Sequence, residues 1–156
     1  MTALPKEKFN TTYFPESIVR DAASGCCHDV AIAIHRRIGL RLACIWQEPS
    51  KDPNSLLIDR FPIHVFCLTP DGLALDLEGP ADLVSLRKRY ERRDDYEYSL
   101  DIYESEADYA RTIGDSLLGS VHTLLPREHG IAAADRVIDS SPSFKALLRS
   151  LSGARA

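Results

Sequence analysis

A helix that is apolar on almost every side constrains this fold more than any other feature of the sequence. Ser24 and Gly25 lead into it, and residues 30–34 form an uninterrupted apolar run. A helix of this kind is buried among other elements, so we expect it to lie at the centre of the fold. Cys27 falls in its first turn, and Gly39 fits the position just past its last turn.

Cys27 is the first candidate functional residue. The backbone N–H groups of a first helical turn point outward and create a positive field. Such a field favours the thiolate, which is the form of cysteine that attacks a carbonyl carbon. Cys26 is the rival nucleophile, because a helix start read from sequence is uncertain by a residue or two. The alternative is that Cys27 is one more buried cysteine.

Two segments, residues 62–68 and 73–78, predict a β-hairpin joined by the turn sequence Thr69-Pro70-Asp71-Gly72. Because Pro70 disfavours a two-residue loop, we expect a type I turn with a left-handed Gly72. This register pairs Thr69 with Leu73. One face of the hairpin is then uniformly apolar and faces the core: Ile63, Val65, Cys67, Leu73, Leu75 and Leu77.

The other face of the hairpin carries the candidate base and acid. Phe66 is expected opposite Asp76, and His64 opposite Glu78. His64 and Asp76 are then diagonal neighbours, about 7 to 8 Å apart at Cα and within side-chain reach. We expect this polar end to adjoin the start of the Cys27 helix, with His64 as base and Asp76 orienting it. Glu78 is the second candidate for orienter. The alternatives are a buried structural histidine and an acid that ends a strand.

The whole pattern predicts an α+β fold. The central helix with Cys27 packs on a small antiparallel sheet that carries His64 and Asp76, and additional helices follow towards the C-terminus. We expect one domain over residues 1–156, with 24–79 as its core and 80–151 as a mostly helical extension. The other predicted helices are 15–23, which ends at Ser24-Gly25, 81–93, 104–118, 126–139 and 143–151, and the other predicted strands are 40–46, 56–61 and 96–103.

Charge and hydropathy argue against nucleic acid and membrane as partners. The net charge is −4, and the basic cluster over residues 87–93 is interrupted by Glu91 and followed by Asp94-Asp95, as on a solvated helix face. No apolar run approaches the roughly 20 residues of a membrane-spanning helix. The N-terminal residues do not resemble a signal peptide, so we expect a cytoplasmic protein, or one delivered to another cell by a signal-independent route.

The four cysteines are expected to be reduced in such a compartment. Cys44 and Cys67 lie in apolar strand-like runs and are expected to be small buried hydrophobes. A zinc site built from Cys26, Cys27, His28 and Cys67 is disfavoured, because no C-x-x-C pair is present and adjacent ligands rarely close one tetrahedron. We therefore expect no metal and no cofactor.

Other histidines compete with His64 for the role of base. His35 lies eight residues along the same helix from Cys27, which places it about 12 Å away along the axis. His28 follows Cys27 directly and is turned about 100° around the helix. His122 and His129 stay open as alternatives.

The order of cysteine, histidine and aspartate resembles the papain-like superfamily in its transglutaminase-like and NlpC-like branches. The likeness lies within residues 24–79 and is carried by Gly25-x-Cys27-x-x-x-Ala31, Ile63-His64-Val65 and Asp71-Gly72-x-x-x-Asp76-x-x-Gly79. The resemblance implies a triad that attacks an amide, ester or thioester through a thiolate. It implies a cysteine-dependent hydrolase or acyl transferase, without choosing among amidase, deamidase, peptidase and cross-linker.

The mechanism that these residues imply needs donors for a tetrahedral oxyanion. The backbone N–H of Cys27 is one expected donor, and Gln47 or Trp46 the second. Trp46, Phe66 and Tyr96 are expected to wall the cleft, and the substrate is expected to be a protein or small-molecule amide or ester. The alternative function is a non-catalytic binding module on the same fold, and the third class is a zinc-stabilised structural protein.

Overall fold

The structure, a computed structural model, describes residues 9–55, 60–115 and 128–153, with only the backbone of residues 24, 25, 114 and 115. The described helices are α1 (Glu16–Asp21), α2 (Cys27–Ile38), α3 (Leu83–Tyr90), α4 (Glu106–Asp115), α5 (Glu128–Asp139) and α6 (Pro142–Gly153). The described strands are β1 (Arg41–Gln47), β2 (Phe61–Leu68), β3 (Ala74–Asp76), β4 (Gly79–Ala81) and β5 (Tyr98–Tyr103). None of these helices is long and apolar enough to cross a membrane.

One antiparallel sheet organises the fold, with strand order β4-β3-β2-β1-β5. The apolar stretch of α2 packs on one face of the sheet, and α5 and α6 pack against α2. On the other face, Leu86 of α3 packs on Ala43, Phe66 and their neighbours. The predicted α+β fold, with the Cys27 helix on a small antiparallel sheet and further C-terminal helices, is confirmed.

The predicted hairpin turn and register are confirmed. Leu68 pairs with Ala74, and the N–H of Thr69 donates to the carbonyl of Leu73 over 2.9 Å. The N–H of Gly72 donates back to the carbonyl of Thr69 over 2.9 Å, and Gly72 has φ +83°. This is the turn that Pro70 and Gly72 favour, and it fixes which side chains of β2 and β3 share a face.

The second strand of the hairpin is shorter than expected. It ends at Asp76, and Gly79, at φ +94°, starts β4, which pairs back on β3. The expected pairing of His64 with Glu78 is therefore wrong, because Glu78 lies in the turn between these strands. As a result, β2 pairs with β3 only at Cys67 and Leu68. Before Cys67, the side of β2 that points away from β1 has no neighbouring strand in the described part of the chain.

One member of the predicted core face is misplaced. Ile63 packs with the cluster on the α3 side of the sheet, whereas Val65 lies in the cluster on the α2 side. The register between β1 and β2 shifts between Ile45 and Trp46, so that Ile45 pairs with His64 and Trp46 with Pro62. Such a bulge turns one residue away from the regular alternation.

The predicted break at Ser24-Gly25 is also wrong. A π-helical turn over Ala22–Cys26 joins α1 to α2, and the backbone leaves the helical range at Cys26, which has φ −104° and ψ 8°. The N–H groups of a π turn bond to carbonyls five residues back, so Cys27 begins an α-helix but does not stand at a free helix end. The groups that lower the pKa of this thiol are His28, His64 and the backbone N–H of Val65, which the helix-end argument did not include.

Other predicted elements differ mainly at their ends. The predicted helix over residues 81–93 begins later, because Ala81 pairs in β4 and the carboxylate of Asp82 accepts the N–H of Ser85 (2.9 Å) as a helix cap. The last predicted strand begins at Tyr98. Most of the predicted strand at 56–61, the end of the predicted helix at 104–118 and the start of the predicted helix at 126–139 lie outside the described residues.

Candidate active site

His64 and Asp76 meet as the hairpin register predicts. Nε2 of His64 lies 3.0 Å from Oδ2 of Asp76. The other oxygen of Asp76, Oδ1, accepts the backbone N–H of Glu78 over 2.8 Å. The tight turn after β3 therefore holds the carboxylate in place, and the carboxylate holds the imidazole.

Two aromatic rings fix the plane of the His64 imidazole. Tyr90 of α3 stacks on it with ring centroids 4.1 Å apart and planes 6° apart, and Phe66 stacks at 5.8 Å and 22°. The His64 side chain is only 2% exposed. Because Asp76 takes Nε2, Nδ1 is the nitrogen left to serve the thiol, and within the described ranges no contact of Nδ1 has the full geometry of a hydrogen bond.

Cys27 lies at this imidazole and is partly exposed. Burial acts to raise the pKa of its thiol, but hydrogen bonding to His28 and His64 lowers it. The positive charge of His64 and the backbone N–H of Val65 lower the pKa further, to about 6. Val65 lies before the residues of β2 that pair with β3, so β3 does not cover its backbone.

The pKa of His64 moves in the opposite direction. Burial acts to lower it, whereas the hydrogen bonds and charges of Asp76 and Cys27 raise it to about 9. The two pKa shifts have opposite directions, and together they favour the thiolate and imidazolium form of the pair at neutral pH. This is the charge state required of a nucleophilic cysteine and its general acid.

The other three cysteines do not share this environment. Cys26 is exposed, and burial of its sulfur together with the nearby charge of Asp29 raises the pKa of its thiol. Burial likewise raises the pKa of Cys44 and of Cys67, which are both fully buried as expected. Sγ of Cys67 donates to the carbonyl of Ala31 over 3.2 Å.

The four residues of the disfavoured zinc site do not converge. Cys67 lies in the core between α2 and the sheet, whereas Cys26 is exposed. Within the described part of the chain, no group of three or more His, Cys, Asp or Glu side chains could hold a metal ion.

A cavity of about 10 Å³ lies against the three side chains, which is room for about one water molecule. Its polar wall is formed by Cys27, His64, Asp76 and Glu78, and Tyr90 closes one side. The remaining lining residues are apolar: Val19, Ala22, Ala23, Val30 and Leu77.

Several expected cleft residues serve other purposes. Trp46 is fully buried and donates its indole N–H to the hydroxyl of Tyr103 over 3.1 Å, so it is not an oxyanion donor. Two other expected residues, Gln47 and Tyr96, are not among the described residues that line the cavity. Gln47 lies at the end of β1 opposite Phe61, and the ring of Tyr96 lies under the Arg93 guanidinium at 4.6 Å. Phe66 contributes by stacking on the imidazole.

Glu78 and the competing histidines can now be placed. The carboxylate of Glu78 accepts the N–H of Asn10 (2.8 Å) and a hydrogen bond from Arg89 (2.5 Å), so it is engaged away from His64. Nδ1 of His35 contacts the carbonyl of Leu40 over 2.6 Å. His129 is exposed on α5, and His122 lies outside the described residues.

Three contributors to the site could not be found from the sequence: the ring of Tyr90, the imidazole of His28 and the backbone N–H of Val65. Tyr90 is distant in sequence from His64 and lies in the helix predicted over residues 81–93, whose pattern does not indicate what its rings contact. His28 was set aside because it is turned away around the helix, yet its side chain is buried next to the thiol. The Val65 N–H is available only because β3 stops early.

Comparison of the chain with protein-family models, with curated proteins and with solved structures finds no match. The function must therefore be argued from the geometry of Cys27, His64 and Asp76.

Proposed function

We propose that the chain is a cysteine-dependent hydrolase or acyl transferase that acts on an amide, ester or thioester. The observation that carries this proposal is that Cys27, His64 and Asp76 line one cavity, with His64 3.0 Å from Asp76, the thiol pKa lowered to about 6 and the imidazole pKa raised to about 9. A cysteine with only a packing role has no need of a buried charged imidazole. The likeness to the papain-like superfamily in residues 24–79 supports the same chemistry.

In the proposed reaction the Cys27 thiolate attacks the carbonyl carbon of the substrate. A carbon–sulfur bond forms, and the carbonyl oxygen carries the negative charge. The His64 imidazolium then gives its proton to the leaving nitrogen, oxygen or sulfur as the bond to that atom breaks. The products of this half-reaction are a protonated leaving group, a thioester at Cys27 and a neutral imidazole.

The second half-reaction restores the site. Neutral His64 takes a proton from an attacking water or amine, which forms a bond to the thioester carbon. The carbon–sulfur bond breaks, and the thiolate and imidazolium are regenerated. Asp76 acts throughout by holding Nε2, so that Nδ1 faces the sulfur and the positive charge of the ring is stabilised.

The compartment is proposed to be the cytoplasm. All four cysteines are free, as expected of thiols in a reducing environment. Protein or small-molecule acyl compounds are the proposed partners.

The proposal is tested by trapping the acyl intermediate. The chain is incubated with p-nitrophenyl acetate, and mass spectrometry locates the acetyl group. We expect one acetyl group at Cys27 and a burst of nitrophenolate equal to the protein concentration. Cys26→Ser is the matched control and should keep the burst, whereas Cys27→Ser should abolish it. Acetylation spread over surface residues, or a burst that survives Cys27→Ser, would exclude the proposed nucleophile.

The second candidate function is a binding module that retains the pocket without turnover. The small volume next to Cys27 favours it, because a substrate carbonyl needs more room than one water molecule. A chain that is alkylated at Cys27 but forms no acyl intermediate with ester or thioester would support this second function.

A further inference from the structure

A second, larger groove adjoins the candidate active site. It lies between the helical run from α1 to α2 and helix α5, and its volume is about 210 Å³. Its apolar wall is formed by Ile18, Ala22, Val30, Leu77, Ala134 and Val137. Three of these, Ala22, Val30 and Leu77, also line the cavity at Cys27, so the two spaces share a wall.

The size of the groove fits a substantial side group. A cavity of about 150 Å³ lined by apolar side chains holds a benzene molecule. The groove therefore has room for a group larger than a benzene ring. A group bound there shields the apolar wall from water. This burial of apolar surface supplies the main favourable free energy of such contacts.

The carboxylate of Asp29 also lines the groove. Its Oδ1 is buried without a hydrogen-bond partner among the described residues, and Nε2 of His28 lies 3.6 Å from it. Gly130 of α5 makes room for this carboxylate, since a Cβ at that position would lie 2.3 Å from Oδ2 of Asp29. The Asp29 side chain as a whole is 14% exposed, so a cationic group in the groove can approach the carboxylate and donate a charge-assisted hydrogen bond to it.

The charges around the groove have one sign. Asp21 and Asp29 line it, and no lysine or arginine is among the described lining residues. An anionic side group would therefore be repelled, and a cationic one attracted.

We propose that this groove binds a substrate side group that has a long apolar stem and ends in a cation, as lysine and arginine side chains do. The proposal rests on the proposed function, because it assigns the substrate of the same site. Asp29 follows Cys27 by two positions and projects about 200° around the helix from it. Because the two side chains project from different sides of the helix, we expect a long stem to be needed between a carbonyl at Cys27 and a cation at Asp29.

The first experiment compares three Nα-acetyl amino-acid p-nitrophenyl esters. They carry a lysine side chain, a norleucine side chain of similar stem length without the charge, and a glutamate side chain. We expect kcat/KM to be about tenfold or more higher for lysine than for norleucine, as for a hydrogen bond to a charged group. Glutamate should be the poorest. Asp29→Asn should bring the ratio of lysine to norleucine close to one.

A pair of variants on α5 tests the groove itself. Ala132 and Ala133 are both exposed, but of the two only Ala133 is among the described lining residues. Ala133→Phe fills the groove from its rim and should lower kcat/KM for the lysine and norleucine esters about tenfold or more, because the stem loses its apolar contacts. Ala132→Phe is the matched control and should leave both unchanged. Labelling of Cys27 by iodoacetamide should be the same in both variants.

Failure of this proposal differs from failure of the proposed function. If Cys27 forms an acyl intermediate but the three esters react equally, or both alanine variants behave alike, the groove proposal is overturned and the thiol chemistry stands. If no ester acylates Cys27, the groove proposal is tested by binding alone. The Cys27→Ser chain is titrated calorimetrically with Nα-acetyl-lysine methylamide and with its norleucine analogue. Tighter binding of the lysine compound supports it, and equal or undetectable binding of both overturns it.

Discussion

The imidazole of His64 is buried, and its pKa is nevertheless raised, which favours its charged form. Burial of a charge is costly unless opposite charges and hydrogen bonds compensate it. Here Asp76 binds one ring nitrogen, and the hydrogen bonds and charges of Asp76 and Cys27 raise the pKa of the ring. The three side chains therefore form one electrostatic unit, in which a change at one residue moves the pKa of the next.

Replacing Asp76 tests this unit. In Asp76→Asn the imidazole loses its carboxylate, so the pKa of His64 should fall and the pKa of Cys27 should rise. We expect the rate of acyl transfer at pH 7 to drop by about 10²- to 10⁴-fold, measured as kcat/KM with an activated ester. Glu78→Gln is the control, because Glu78 bonds to Asn10 and Arg89 instead. An equal loss in both variants would contradict the role assigned to Asp76.

The residues of this unit could be predicted from sequence because each obeys a local rule. The apolar helix identified Cys27, and the turn chemistry of Pro70 and Gly72 fixed the register that joins His64 to Asp76. Tyr90 could not be predicted, since its stacking on His64 depends on how α3 docks on the sheet. The contribution of His28 to the lowered thiol pKa was also missed, because this side chain was expected to be turned away around the helix.

Among the secondary-structure elements, the hairpin formed by β3 and β4 holds the carboxylate of Asp76 in place. The turn between β3 and β4 supplies the Glu78 N–H that holds Asp76. Gly79 permits this turn for two reasons: its φ is +94°, and a Cβ there would lie 2.5 Å from the ring of Tyr13. From sequence, Gly79-Pro80 indicates only that a strand ends, so neither the return strand nor its contact with Tyr13 could be foreseen.

Alanine substitutions at two glycines distinguish the cost of backbone strain from the cost of a steric conflict. Gly72→Ala places a side chain at φ +83° in open space and should cost about 1 to 2 kcal/mol of unfolding free energy. Gly79→Ala adds the conflict with Tyr13, and should cost a further 1 to 3 kcal/mol or so. Urea unfolding of both variants measures the difference. Equal losses would show that the Tyr13 ring moves aside freely.

At the scale of the whole molecule, one core joins the two ends of the described chain. Phe144 of α6 is fully buried and meets Tyr13 and Phe14 edge-to-face, at 5.4 and 5.1 Å between ring centroids. The same cluster includes the apolar residues of α2. The helices after the sheet therefore support the helix that carries Cys27.

Truncating Phe144 tests whether the chain unfolds as one unit. Phe144→Ala should lower the unfolding free energy by about 3 to 5 kcal/mol, whereas Arg149→Ala, at an exposed position of the same helix, should change it by less than about 0.5 kcal/mol. Circular dichroism and the alkylation rate of Cys44 should report the same urea midpoint. Two separate transitions would contradict a single domain over residues 1–156.

The fold class was predictable because the central helix and the hairpin carry strong periodic patterns. How α5 and α6 pack was not predictable, since amphipathic helices reveal which face is buried but not what they bury it against. The groove between α2 and α5 is a consequence of that packing.

The central claim is that His64 holds Cys27 as a thiolate, and the pH dependence of alkylation tests it most directly. The rate of iodoacetamide labelling is measured from pH 4 to 10 in a Cys26→Ser chain, with and without His64→Ala. Because the folded pKa of Cys27 is lowered, labelling should fall only as the pH drops through about 6, and His64→Ala should move this midpoint upward. A midpoint near 8.5, about that of an ordinary thiol, or one that His64→Ala leaves in place, would contradict the account.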